Sequence, residues 1–144
     1  MLIYSQGRFH LAGASFAMPE GFLIEPTPLE PTDNGFVLFS PDDKYVLTIS
    51  FSKDSEPTDA VLNSLFSKEY GLEPFQSIAP IEINGLSGHY ALYHGGRDQY
   101  YEARFQLEDN WNLVILIRTE PEIGIKSIVN TKALQEILSC VRKD

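Results

Sequence analysis

Residues 88–118 read GHYALYHGGRDQYYEARFQLEDNWNLVILIR, and their two-residue alternation decides the fold. With Gly96-Arg97 at the centre of a tight turn, Leu92 falls opposite Tyr101, Tyr90 opposite Ala103 and Gly88 opposite Phe105. A three-residue turn at Glu108 to Asn110 brings the chain back and sets Trp111, Leu113, Ile115 and Ile117 on that same face. The other face receives His89, Tyr93, Tyr100, Glu102, Arg104 and Gln106, then Val114 and Leu116. The last strand is apolar on both sides, which is the pattern of a central strand covered twice. The stretch is an antiparallel meander.

Working outward, a strand from Ser77 to Ile83 enters the meander through Asn84-Gly85, a strong hairpin pair. Further upstream, Gly35 to Phe39 and Lys44 to Ser52 flank Ser40-Pro41-Asp42-Asp43, with proline where a type I turn favours it. Pairing Phe39 with Lys44 sets Leu38 opposite Tyr45 and Phe36 opposite Leu47. Tyr45, Leu47, Ile49 and Phe51 then share one face. Val46 interrupts the other, which holds Lys44, Thr48, Ser50 and Ser52. Between these hairpins the period changes: Val61, Leu62, Leu65, Phe66 and Tyr70 recur at helical spacing until Gly71, about four turns. A second helix is predicted from Asn130 to Val141, with Ala133, Leu134, Ile137, Leu138 and Val141 as its stripe. At the start, Arg8 to Ala12 and Ser15 to Met18 read as short strands around Gly13. Three prolines between Glu25 and Gly35 predict an extended surface loop. The 144 residues make one α+β domain over 1–144: a largely antiparallel sheet of about six or seven strands with two main helices packed on it.

Eleven Lys and Arg against twenty Asp and Glu give a formal charge of −9. That field repels phosphate backbones, and the bases are scattered, so no nucleic acid is expected as a partner. No stretch approaches the roughly 18 apolar residues of a membrane span, so no membrane insertion is expected. The start, Met1 to Ser5, lacks a basic region and is not a secretory signal, which predicts a cytoplasmic chain. Cys140 is the only cysteine, so no disulfide forms within the chain.

Signatures of chemistry are missing. Gly13-Ala14-Ser15-Phe16-Ala17 lacks the second glycine of a nucleophile elbow, and the glycine pairs near 85 and 95 are too short for a phosphate loop. His89 and His94 point to opposite faces of one strand and cannot share an ion. The expectation is no catalytic residue, no cofactor and no metal. One constellation stands apart: His89, Tyr93, Tyr100, Glu102 and Arg104 converge on the second face of the meander. The alternative function is a small-ligand-binding protein or an enzyme using this face, in which Glu102 or His89 is a general base and Arg104 an anion clamp. The plainer reading pairs Glu102 with Arg104 on a wet sheet face, with the tyrosines as amphipathic cover.

The order of elements resembles a known family. Phe16-Ala17-Met18-Pro19-Glu20-Gly21-Phe22 is similar to the opening of PsbP-like (Mog-type) domains. The likeness continues through the hairpin, the first helix, Ile81 to Gly88, the meander and the last helix. Within that family, the length and the stretch Gly88 to Arg104 resemble the Eag-type cytosolic adaptors of bacterial type VI secretion. The proline-rich segment departs from that adaptor pattern. The resemblance implies a non-catalytic, protein-binding chaperone or adaptor that shields an apolar helical segment of a partner protein. It also implies a homodimer. Periodicity leaves Val37, Val46, Val114 and Leu116 as apolar side chains outside the core face, and with Tyr93 and Tyr100 they are the candidate partner-binding residues.

Overall fold

A computed structural model describes residues 2–24 and 34–144. Among them the strands are β1 (Ile3–Ser5), β2 (Arg8–Leu11), β3 (Ala14–Phe16), β4 (Leu23–Ile24), β5 (Asn34–Phe39) and β6 (Tyr45–Lys53). Helix α1 (Thr58–Ser64) precedes β7 (Glu73–Pro74), β8 (Ala79–Ile83), β9 (Leu86–Gly95), β10 (Asp98–Gln106) and β11 (Trp111–Thr119). Helices α2 (Ile125–Val129) and α3 (Lys132–Leu138) lead to β12 (Val141–Lys143). The loop expected from Glu25 to Gly35 lies outside the described residues, apart from Asn34 and Gly35, which begin β5.

The architecture is α+β, with antiparallel strands in two sheets and not the single sheet expected. The larger has the order β4-β5-β6-β11-β10-β9-β7, with β8 also paired to β9; the smaller runs β1-β2-β3-β12. The small sheet arises because the N-terminal hairpins are very short. Gln6-Gly7 and Ala12-Gly13 reverse the chain with positive φ at both central residues, the geometry of the tightest hairpin turns. Val141 then pairs with Phe16, so the C-terminal end closes this sheet. Sequence periodicity had put Val141 on a helix stripe.

The meander has the register read from its sequence: Leu92 opposite Tyr101, Tyr90 opposite Ala103 and Gly88 opposite Phe105. Gly88 is obligatory here, since a Cβ would lie 1.8 Å from the Arg104 carbonyl oxygen. The first large hairpin differs from expectation by two residues. Leu38 lies opposite Leu47 and Phe36 opposite Ile49, because Phe39 pairs with Val46 and not with Lys44. Ser40 explains the longer loop: its hydroxyl accepts the backbone N–H of Lys44 (3.0 Å) and Tyr45 (3.1 Å). Asp43 completes the turn at φ 59°. A slip of two keeps every side chain on its predicted face.

Both helical expectations were too long. α1 ends at Ser64, and Leu65, Phe66 and Ser67 continue in tighter turns, donating to the carbonyls three residues back. Near the C-terminus, Thr131 is extended and its hydroxyl accepts the Ala133 N–H at 3.3 Å, capping α3 and separating it from α2. The main core lies on one face of the large sheet. There Leu47, Ile49, Phe105, Ile115 and Ile117 pack, fully buried, against Phe16 of the small sheet, Ile125 of α2 and Ile137 of α3. No helix among the described residues is long and apolar enough to cross a membrane.

Candidate partner-binding face

The opposite face of the large sheet is built by the same alternation. Antiparallel register aligns its outward side chains in three rows across β5, β6, β11, β10 and β9. One runs Gly35, Ser50, Val114, Arg104, His89; the next Val37, Thr48, Leu116, Glu102, Ala91; the third Phe39, Val46, Arg118, Tyr100, Tyr93. Leu23 of β4 pairs with Phe39 and extends the third row at the sheet edge, where it is 68% exposed.

Helix α1 covers only one end of these rows. It packs on β9 and β10, where Leu62 is fully buried against Ala91 and Tyr93. Phe66 meets the Tyr93 ring edge-on at 5.7 Å, and Tyr93 stacks on Tyr100 at 4.9 Å. Among the described residues, no helix lies over this side of β5, β6 and β11. Val37, Val46 and Leu116 are half-buried there, while Val114 is buried to 6% exposure. Of the sequence candidates, Tyr93 sits beneath α1, Tyr100 is half-buried at its margin, and the four aliphatic residues lie on the uncovered strands.

Where the covered and uncovered parts meet, a polar network is buried. The Tyr93 hydroxyl donates to Glu102 Oε1 at 2.7 Å, and Arg104 Nε donates to Glu102 Oε2 at 2.8 Å. Arg104 Nη1 donates to Asn112 Oδ1 at 3.3 Å. Glu102 is 5% exposed, so both its oxygens need these donors. Burial, reinforced by the Glu102 carboxylate, pushes the Tyr93 phenol up, and it stays a neutral donor across the working pH range. His89 is half-buried beside Arg104, with Nδ1 2.8 Å from Thr58 Oγ1 at the start of α1. The five residues of the sequence constellation are thus neighbours. Both Glu102 oxygens are engaged by Tyr93 and Arg104, while the His89 imidazole meets the Thr58 hydroxyl.

Beside the network, Thr48, Ser50, Ser52, Val114, Leu116 and Arg104 line an open groove of about 470 Å^3. Trp111 and Lys53 form its rim, with the Lys53 ammonium 5.5 Å from the indole centroid. Asn112 was missed at the sequence level, although its even spacing from Val114 and Leu116 puts it on this face. It is fully buried, and its Nδ2 has no hydrogen-bond partner among the described residues.

The other titratable side chains are scattered. His10 lies in the small sheet, with Nδ1 2.8 Å from Asp144 Oδ2. His94 contacts the Phe75 ring on the core side of β9. Burial pushes the Cys140 thiol up, away from the thiolate that a nucleophile needs. Among the described residues, no three His, Cys, Asp or Glu stand together as a metal site. In comparisons of sequence, no protein family and no curated protein matches this chain.

Proposed function

We propose that the chain is a non-catalytic, protein-binding domain of the PsbP-like kind, an adaptor or chaperone that shields an apolar helical segment of a partner. The observation that carries this reading is the unequal cover of the large sheet. One face is sealed by the small sheet, α2 and α3. Among the described residues the other is covered by α1 only over β9 and β10, which leaves Val37, Val46 and Leu116 half-buried with no helix above them and Leu23 exposed at the sheet edge. Half-buried aliphatic side chains with a shallow groove beside them suit a helix laid across strands.

An enzymatic reading has less support. The Glu102 carboxylate is held by Tyr93 and Arg104, and the adjoining groove offers hydroxyls but no paired nucleophile and base.

The test is a fluorescence titration with a labelled apolar helical peptide, alongside sedimentation of the free chain. Saturable binding that Leu116→Asp abolishes, in a variant that still melts cooperatively, is the expected outcome. A chain that stays monomeric and leaves the peptide unbound at high micromolar concentration overturns the reading.

A further inference from the structure

Resting on that docking reading, we infer that the segment bound on the open face carries a carboxylate among its apolar residues, seated against Arg104. The chain holds twenty acidic residues against eleven basic ones, yet this face does not share that excess. Its three rows carry Arg104 and Arg118 but a single carboxylate, Glu102, which is buried and engaged on both oxygens. Arg118 is answered by Asp98 at 3.3 Å at the far end, outside the groove. Within the groove the cations are Arg104 and, at the rim, Lys53.

Arg104 has capacity to spare. Nε is given to Glu102 and Nη1 to Asn112, which leaves Nη2 without a partner among the described residues. The side chain keeps 17% of its surface accessible. The guanidinium is already fixed in orientation by Glu102 and Asn112, so little further entropy is lost when an incoming carboxylate meets Nη2. The Ser50 and Ser52 hydroxyls along the groove supply additional donors. A basic residue on the partner would instead meet Lys53 and Arg104 as like charges.

The experiment uses the full chain and three helical peptides of about 20 residues with the same Leu/Ala face, differing only in a central Glu, Gln or Lys. The Glu peptide is expected to bind at least about tenfold tighter than the Gln peptide, with Lys weakest and the advantage shrinking as salt is raised. In the double variant Glu102→Gln with Arg104→Gln the three peptides should converge while apolar binding persists. Arg104→Lys, which keeps the charge without the fork, should retain part of the preference. Circular dichroism melts establish that each variant is folded. Equal binding of all three peptides to the wild-type chain, still lost in Leu116→Asp, overturns the carboxylate inference and leaves the docking reading standing. Failure of every peptide to bind, or a dimer dispersed by Leu116→Asp with no peptide affinity, overturns both.

Discussion

Leu47 and Val46 are adjacent in β6 and belong to two different environments. Leu47 points into a dry core and is fully buried. Val46 points to the face where the described residues provide only partial cover. The same contrast runs along the whole sheet. One face is filled by Phe51, Phe105, Leu113, Ile115 and Ile117, the other by hydroxyls, a buried ion pair and scattered valines. A strand offers its two sides at equal backbone cost, so the difference lies in what each side is asked to meet. The first face meets the rest of this chain and is optimised for density. On the second, α1 and a polar network cover β9 and β10, while no helix among the described residues lies over the other strands.

The contrast breaks most directly at Phe105. It is fully buried in the main cluster, so Phe105→Ala should cost about 3–5 kcal/mol. Leu47→Ala should cost about 2–5 kcal/mol for the same reason. Urea melts of both variants measure this. A loss within about 0.5 kcal/mol, typical of a surface site, would mean that the core face is wrongly assigned.

Next in size is the ion pair at the boundary of the two environments. Arg104→Met leaves Glu102 buried with only the Tyr93 hydroxyl and should cost about 3 kcal/mol, because an uncompensated buried charge is more expensive than a missing pair. Adding Glu102→Gln should recover part of that loss. A double-mutant cycle by denaturant melts reads the coupling, and strictly additive losses would show that the two residues do not act as a unit.

Much of this was legible in the sequence because it rests on period two. The meander register, the two faces and the nearness of Tyr93, Glu102 and Arg104 all follow from alternation and three turns. What escaped depends on groups that alternation does not see. Ser40 adds two residues to a loop by bonding two backbone amides, and the five-residue α2 is too short to show a helical stripe ahead of the Thr131 cap of α3. The small sheet escaped because Val141 and Phe16 pair across nearly the whole chain, and their local patterns suit helix or strand equally. At the candidate site, Thr58 reaches His89 from the start of a helix, a tertiary contact without a sequence signature.

A smaller effect sharpens the comparison from the other side. Val46→Thr nearly preserves shape and faces partial cover, so stability should change by no more than about 0.5 kcal/mol. If the face is a docking surface, the same exchange should still weaken binding of an apolar peptide severalfold. A large loss of stability would mean that Val46 is as enclosed as Leu47, and the two faces would no longer differ.

The smallest expected effect compares two ion pairs of similar length and different burial. Glu102–Arg104 is nearly buried on the open face; His10–Asp144 sits at the solvent edge of the small sheet, at 28% and 33% side-chain exposure. The hydrogen bond that His10 donates to Asp144, aided by the one to the Ser5 carbonyl, raises the imidazole above its ordinary 6.5. Burial pushes the Asp144 carboxyl up, but hydrogen bonds from His10 and Ser15 and the nearby positive charges outweigh it and hold the group below its ordinary 3.8. A raised histidine contributes stability that is complete below its unfolded value and is lost as pH rises through the folded one. A lowered carboxylate contributes above its unfolded value and loses it as pH falls through the folded one. Both contributions coexist between about pH 4 and about pH 6.5. The stability difference between the wild-type chain and His10→Gln should therefore be greatest in that window and fade above it, remaining well under that of the buried pair because solvent screens it. Urea melts from pH 3 to pH 9 give the profile. A difference independent of pH would mean that His10 contributes by packing on its strand and not by its charge.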